Sequence, residues 1–130
     1  MELLPEGQRN TATEVEWSDQ QKINKFSRLV SKQDKLQHTL VKYKQEKEYL
    51  DDLQLELELL DEDESIQYKV GDFFLFMRVS EALDKIESDD KSLSGKIESV
   101  ENELEQFEDE LASLKKELYA KFGKNINLER

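Results

Sequence analysis

Cysteine is absent from this sequence, and histidine and proline occur once each. Without cysteine there is no disulfide, no thiolate nucleophile and no thiolate zinc ligand, a composition that fits a reducing compartment. His38 has no second histidine to join it in a metal site, and its place away from the apolar stripe of its helix makes it a solvated surface residue. With four glycines in 130 residues, no glycine-rich loop is available to cradle a phosphate. No apolar run approaches the ~20 residues of a membrane span, and Met1 to Gln8 lack the apolar centre of a signal peptide. Basic residues are in deficit as well: 31 acidic against 19 basic side chains give a net charge of −12. No basic cluster in the sequence is of the kind that neutralises phosphates, which argues against nucleic acid and anionic membranes as partners. The expectation is a soluble, cytoplasmic protein.

What is present is mostly helix. Residues 1–16 mix Pro5, Gly7, Asn10, Thr11 and Thr13 with charges and show no period, and read as a flexible tail. Ser18-Asp19-Gln20-Gln21 has the form of a capping box, and from there to about Leu60 neither proline nor glycine occurs. Apolar residues recur at three and four: Ile23, Phe26 and Val30 in one frame, then Leu36, Leu40, Tyr43, Leu50 and Leu57 in a frame displaced by one. Gln33 and Lys47 are polar members of the stripe, and the displacement reads as a local change of winding. A second helix, over about 80–122 with Ser80 as N-cap, carries Val79, Leu83, Ile86, Leu93, Ile97, Val100, Leu104, Phe107, Leu111, Leu114 and Leu118 on one heptad seam. Asp90 alone interrupts it, as a polar seam residue that fixes register at some cost in stability. Gly123 is placed to end this helix near Phe122.

Between the helices, Ile66, Tyr68 and Val70 alternate at the strand period, Gly71-Asp72 suits a type II′ turn, and Phe73, Phe74, Leu75, Phe76 and Met77 follow. The spacing predicts a β-hairpin over about 66–77, with Phe73 and Leu75 on one face and Phe74 and Phe76 on the other. A lone hairpin is marginal in water and has edges to hide. The rest of the chain offers no strand to pair with it, so it is either completed by other chains or buried as a connector in a monomeric core. The acidic corner Asp61-Glu62-Asp63-Glu64 does not make a calcium loop, since Ile66 and Asp72 stand where such a loop requires glycine and glutamate.

Charge predicts that the helices pair antiparallel. Residues 18–50 carry eight basic and four acidic side chains, whereas residues 81–118 carry thirteen acidic and five basic ones. Folding back at Gly71 brings Ile23 close to Tyr119, so the tip of the pair is both ends of the chain. Phe26, Tyr119, Phe122, Ile126 and Leu128 collect there. Phe122 and Ile126 either fold back to close the coiled coil or leave an apolar surface rimmed by Lys22, Lys25, Lys121 and Lys124. A two-helix rod has no concave, dry site in which paired carboxylates such as Asp51-Asp52 could act as acid and base, so neither an enzyme nor a cofactor is expected.

Three stretches, Asp19 to Phe26, Tyr68 to Phe74 and Leu118 to Glu129, together with the helix–hairpin–helix order, resemble the β-class prefoldin subunits. The resemblance covers nearly all of the chain beyond residue 16, with residues 17–124 as the family's domain and 125–130 as a C-terminal tail. It implies a mainly α fold: a long antiparallel two-helix coiled coil with one β-hairpin that completes an inter-subunit β-barrel. It also implies a heterohexamer of α-class and β-class subunits, assembled through Ile66, Tyr68, Val70, Gly71, Phe73, Phe74, Leu75 and Phe76. The implied activity is to hold unfolded actin and tubulin at the coiled-coil tips, here Ile23, Phe26, Tyr119, Phe122, Ile126 and Leu128, for delivery to the cytosolic group II chaperonin without ATP. The alternative from another class is a structural coiled-coil spacer or adaptor, which has no need of the hairpin.

Overall fold

The computed structural model describes residues 14–123 and 126–128, and the backbone of residues 2–3. The element order is β1 (Glu2–Leu3), α1 (Trp17–Glu58), β2 (Ser65–Val70), β3 (Phe73–Arg78), α2 (Val79–Phe122) and β4 (Ile126–Asn127). The two long helices and the hairpin between them match the expected order. Two compact units divide the chain, one of residues 1–38 with 102–130 and the other of residues 39–101. Each contains a segment of α1 and a segment of α2.

The start of α1 differs from the predicted cap. Gln20 N–H bonds to the Glu16 carbonyl, which makes Glu16 rather than Ser18 the N-cap, and Asp19 in the third helical position reaches back to accept the Glu16 N–H at 3.0 Å. With the cap two residues earlier than the Ser18–Gln21 box, the third helical position that reaches back to the cap falls on Asp19 instead of Gln21. The helix closes with tighter bonds from Leu59 N–H to Glu56 and from Leu60 N–H to Leu57. The acidic corner is a turn, with Asp63 N–H donating to the Asp61 carboxylate. Its carbonyls at Glu64 and Glu62 accept the N–H groups of Val79 and Ser80, so α2 begins at Val79 and needs no Ser80 side-chain cap. Four carboxylates near this helix start also suit the positive end of its dipole.

The expected slip of the α1 stripe is not there. Leu29, rather than its neighbour Val30, is buried together with Gln33, and one unbroken alternation of three and four runs Asp19, Lys22, Phe26, Leu29, Gln33, Leu36, Leu40, Tyr43, Lys47, Leu50, Gln54, Leu57. All twelve are buried or half-buried. The sequence presents the frame as displaced because several of its members are polar and because two apolar residues stand side by side at 29 and 30. The α2 seam is as predicted, each apolar position from Val79 to Leu118 being buried or half-buried.

In the 39–101 unit, Leu57, Tyr68, Val79, Ala82 and Ile86 form the core, with Leu50, Leu53, Ile66, Val70, Met77 and Leu83 packed against it. Gly71 has φ of +60° and Asp72 a negative φ, as a type II′ turn requires. In the other unit the core is Phe26, Leu29, Leu111, Leu118, Phe122, Ile126 and Leu128. There β1 pairs antiparallel with β4, Glu2 opposite Asn127 and Leu3 opposite Ile126. The chain thus has a second pair of short strands, contrary to the expectation that the hairpin strands are its sole β-structure. Most of the expected tail, residues 4–13, lies outside the described residues. Residues 126–128 are no loose tail, since Ile126 and Leu128 are core side chains.

Candidate functional site

Two places carry the expected functional residues. The first is the hairpin, whose register pairs Ile66 with Met77, Tyr68 with Leu75 and Val70 with Phe73, and alternately Gln67 with Phe76 and Lys69 with Phe74. Side chains opposite each other share a face, so Phe73 and Leu75 fall on one face and Phe74 and Phe76 on the other. The strands differ in fate. Ile66, Tyr68 and Val70 turn into the core of their unit, and burial pushes the Tyr68 phenol pKa up. Phe73, Phe74, Leu75 and Phe76 are all exposed, Phe76 at 78%. The hairpin forms a two-stranded sheet, so among the described residues the outer edge of each strand has no neighbour.

The second place is the pair of helix ends. Ile23, Phe26, Tyr119, Phe122, Ile126 and Leu128 are brought together as expected. They do not form an exposed patch. Phe26, Phe122, Ile126 and Leu128 are buried, and Ile23 and Tyr119 are half-buried against them. The closing reading is the one the structure adopts. Gly123, at φ of +56°, turns the chain out of α2, β4 then lies against β1, and Leu128 N–H donates to the Tyr119 hydroxyl at 3.2 Å. The expected rim residue Lys124 lies outside the described residues.

Sequence reasoning missed the ion pair at this end. Lys121, in the last turn of α2, donates to the buried Asp19 carboxylate in the first turn of α1, and Glu16 lies 3.6 Å from the same ammonium. Each charge suits the dipole of its own helix end. The Lys121 hydrogen bond, helped by the Glu16 N–H, holds the Asp19 pKa below the usual carboxylate range, and the same bond raises that of Lys121. The available signal was the seam period, which reaches Asp19 once Leu29 is admitted. A similar pair answers the polar seam residues of the other unit: Lys47 Nζ lies 2.9 Å from Asp90 and 3.7 Å from Asp51, and the bond to Asp90 raises the Lys47 pKa. Lys22 with Glu117, Lys25 with Glu110 and Lys44 with Glu101 pair as the charge split of the two arms predicted.

His38 is exposed on α1. Among the described residues no group of three or more histidines, cysteines or carboxylates is arranged to hold a metal ion. No described helix is long and apolar enough to cross a membrane.

Two paired helices with an uncovered hairpin between them define a class. A family model described as prefoldin subunit matches residues 20–125, and the chain belongs to that family. Within it, the chain is similar to prefoldin subunit 4 of Saccharomyces cerevisiae, 53% identical over 130 residues with both chains fully covered. It is 39% identical over 116 residues to prefoldin subunit 4 of Homo sapiens, covering 88% of this chain and 87% of the human one. The crystal structure of the prefoldin beta subunit from Thermococcus strain KS-1 shares the fold, with a TM-score of 0.75 at 13% identity, covering 85% of this chain and 96% of that one.

Proposed function

We propose that this chain is a β-class subunit of a heterohexameric prefoldin, a non-enzymatic cytoplasmic co-chaperone that holds unfolded actin and tubulin and passes them to the group II chaperonin without ATP. The observation that carries the assembly half is the run Phe73 to Phe76. Three phenylalanines and a leucine stand exposed on a strand with an open edge, an arrangement that soluble proteins cover. Strands from neighbouring subunits supply the cover by continuing the sheet into an inter-subunit barrel. The client half rests on the family resemblance and on the apolar helix ends. Since Phe26, Phe122, Ile126 and Leu128 are buried there, capture at this end requires the β1–β4 closure to open. A ladder of two residues per strand is among the least costly elements to open locally.

The test is reconstitution with the other five subunits. Phe74→Ser with Phe76→Ser should leave the helix content of the chain intact and remove it from the hexamer. Hexamers containing the double variant at wild-type abundance, seen by native mass spectrometry, would overturn the assembly role. The wild-type hexamer, given unfolded actin without nucleotide, should keep it soluble. Aggregation as fast as in its absence would sink the client half.

A further inference from the structure

Among the described residues of the helix-end unit, Trp17 is the large apolar side chain that stands exposed. Trp17, the sole tryptophan of the chain, is 73% exposed in the first turn of α1. Along the same helix face follow Gln21, Lys25, Arg28, Lys32 and Lys35 at steps of four and three, and all of them are exposed. Trp17, Gln21, Asn24, Lys25 and Arg28 line a groove of about 420 Å³. Four cations therefore share one face with an indole, and no carboxylate interrupts the row, in a chain whose net charge is −12. The acidic arm answers only part of this row. Lys25 lies 3.8 Å from Glu110, whereas neither Arg28 nor Lys32 forms an ion pair among the described residues.

We propose that this face docks an acidic peptide segment carrying an apolar side chain. The carboxylates meet Lys25, Arg28 and Lys32, with Arg28 offering its planar fork to one of them, and the apolar side chain covers the indole of Trp17. Charge complementarity selects the partner. A peptide bears charges spaced by uncharged residues and can match a row of four cations. A nucleic acid is a continuous polyanion and would also meet the carboxylates of α2 across the helix pair. The site is separate from the apolar helix-end core, and it does not depend on the capture of unfolded clients.

The test uses the full chain and Trp17 as its own reporter. A short tryptophan-free peptide in which Glu alternates with Leu should shift the Trp17 emission to the blue in a saturable way. Raising the salt from low to physiological strength should weaken that binding, because exposed charges are screened over about 8–10 Å. Arg28→Glu with Lys32→Glu should reduce the affinity by about tenfold or more, in line with the reversal of two steering charges. Both positions are exposed, so the double variant should keep the wild-type melting temperature, and an intact melt separates lost docking from lost folding. The proposal is overturned by an unchanged emission, by equal binding of the charge-reversed chain, or by equal binding of a peptide with Gln in place of Glu. An oligothymidine giving the same shift would assign the face to nucleic acid. A shift on raising the protein concentration alone would assign it to a second copy. Binding that appears only after residues 1–13 are removed would assign it to the N-terminal segment of the chain itself. Each of these three results also overturns the proposal.

Discussion

The two units hold similar apolar material and dispose of it in opposite ways. At the helix ends, Phe26, Leu118, Phe122, Ile126 and Leu128 form one buried core, and β4, which carries Ile126, pairs with β1. In the hairpin unit, Phe73 to Phe76 remain in solvent although the opposite strand of the same hairpin is packed inward. The difference is one of available cover. A long helix pair can bury its own seam and fold a short tail over its end, but a single hairpin has two faces and only one pair of helices to lie on. The hairpin unit lacks cover within this chain, whereas the helix-end unit already has it. Under the proposed function, assembly and client capture would make opposite structural demands on the two units.

The sharpest way to break this comparison is to truncate one residue from each unit and measure the stability of the isolated chain by denaturant unfolding. Leu118→Ala, at a position 1% exposed, should cost about 2–5 kcal/mol, the range for deleting a buried leucine side chain. Phe76→Ala should stay within about 0.5 kcal/mol of wild type, as exposed substitutions do. Similar losses at the two sites would show that the hairpin face is covered within the chain.

A smaller effect separates the charges that close the helix ends from the apolar core beneath them. Asp19 has a depressed pKa in the folded chain, so the stability it contributes is in place above the ordinary carboxylate range and is lost as the pH falls through the depressed value. Lys121, with a raised pKa, contributes below the ordinary lysine range and loses its contribution as the pH rises beyond it. The gap in melting temperature between wild type and Asp19→Asn should therefore be wide at neutral pH and narrow on acidification below about pH 4. A gap that does not vary with pH would mean that the asparagine is lost packing rather than lost charge.

The smallest effect belongs to the hairpin unit. Gly95 is exposed in the middle of α2, and a Cβ built there meets no atom within 4 Å. Gly95→Ala should stabilise the isolated chain by about 0.8–1 kcal/mol through helix propensity, measured as a rise in unfolding free energy. If the chain gains stability but its assembly with other prefoldin subunits loses it, a neighbouring subunit approaches the α2 backbone at that point, and the surface that needs cover extends beyond the hairpin.

Much of this was legible because it is written in local periodicity. The α2 seam, the Gly71-Asp72 reversal, the inward alternation of Ile66, Tyr68 and Val70, and the complementary charge of the two arms are each carried by residues a few positions apart. The frame of α1 was harder to read. Val30 and Leu29 are equally apolar neighbours, and polar residues at 19, 22, 33, 47 and 54 hide the stripe that all of them share. Three of these polar residues have partners on the other helix, Glu117 for Lys22, Lys121 for Asp19 and Asp90 for Lys47.

The amino-acid order alone was enough to determine two helices, the hairpin between them and their antiparallel pairing, since period, turn chemistry and charge are properties of neighbouring residues. The fate of the two apolar clusters was decided in three dimensions. Phe122, Ile126 and Leu128 lie closed because Gly123 turns the chain out of α2 and they join one core with Phe26 and Leu29 from the far end of the chain, through a strand too short to show any period. Phe74 and Phe76 stay exposed on the hairpin face turned away from Ile66, Tyr68 and Val70, and Phe73 and Leu75, which share the face of those residues, are not part of the core they join. Burial is a property of what is left to pack against, and that quantity exists only once the chain has folded.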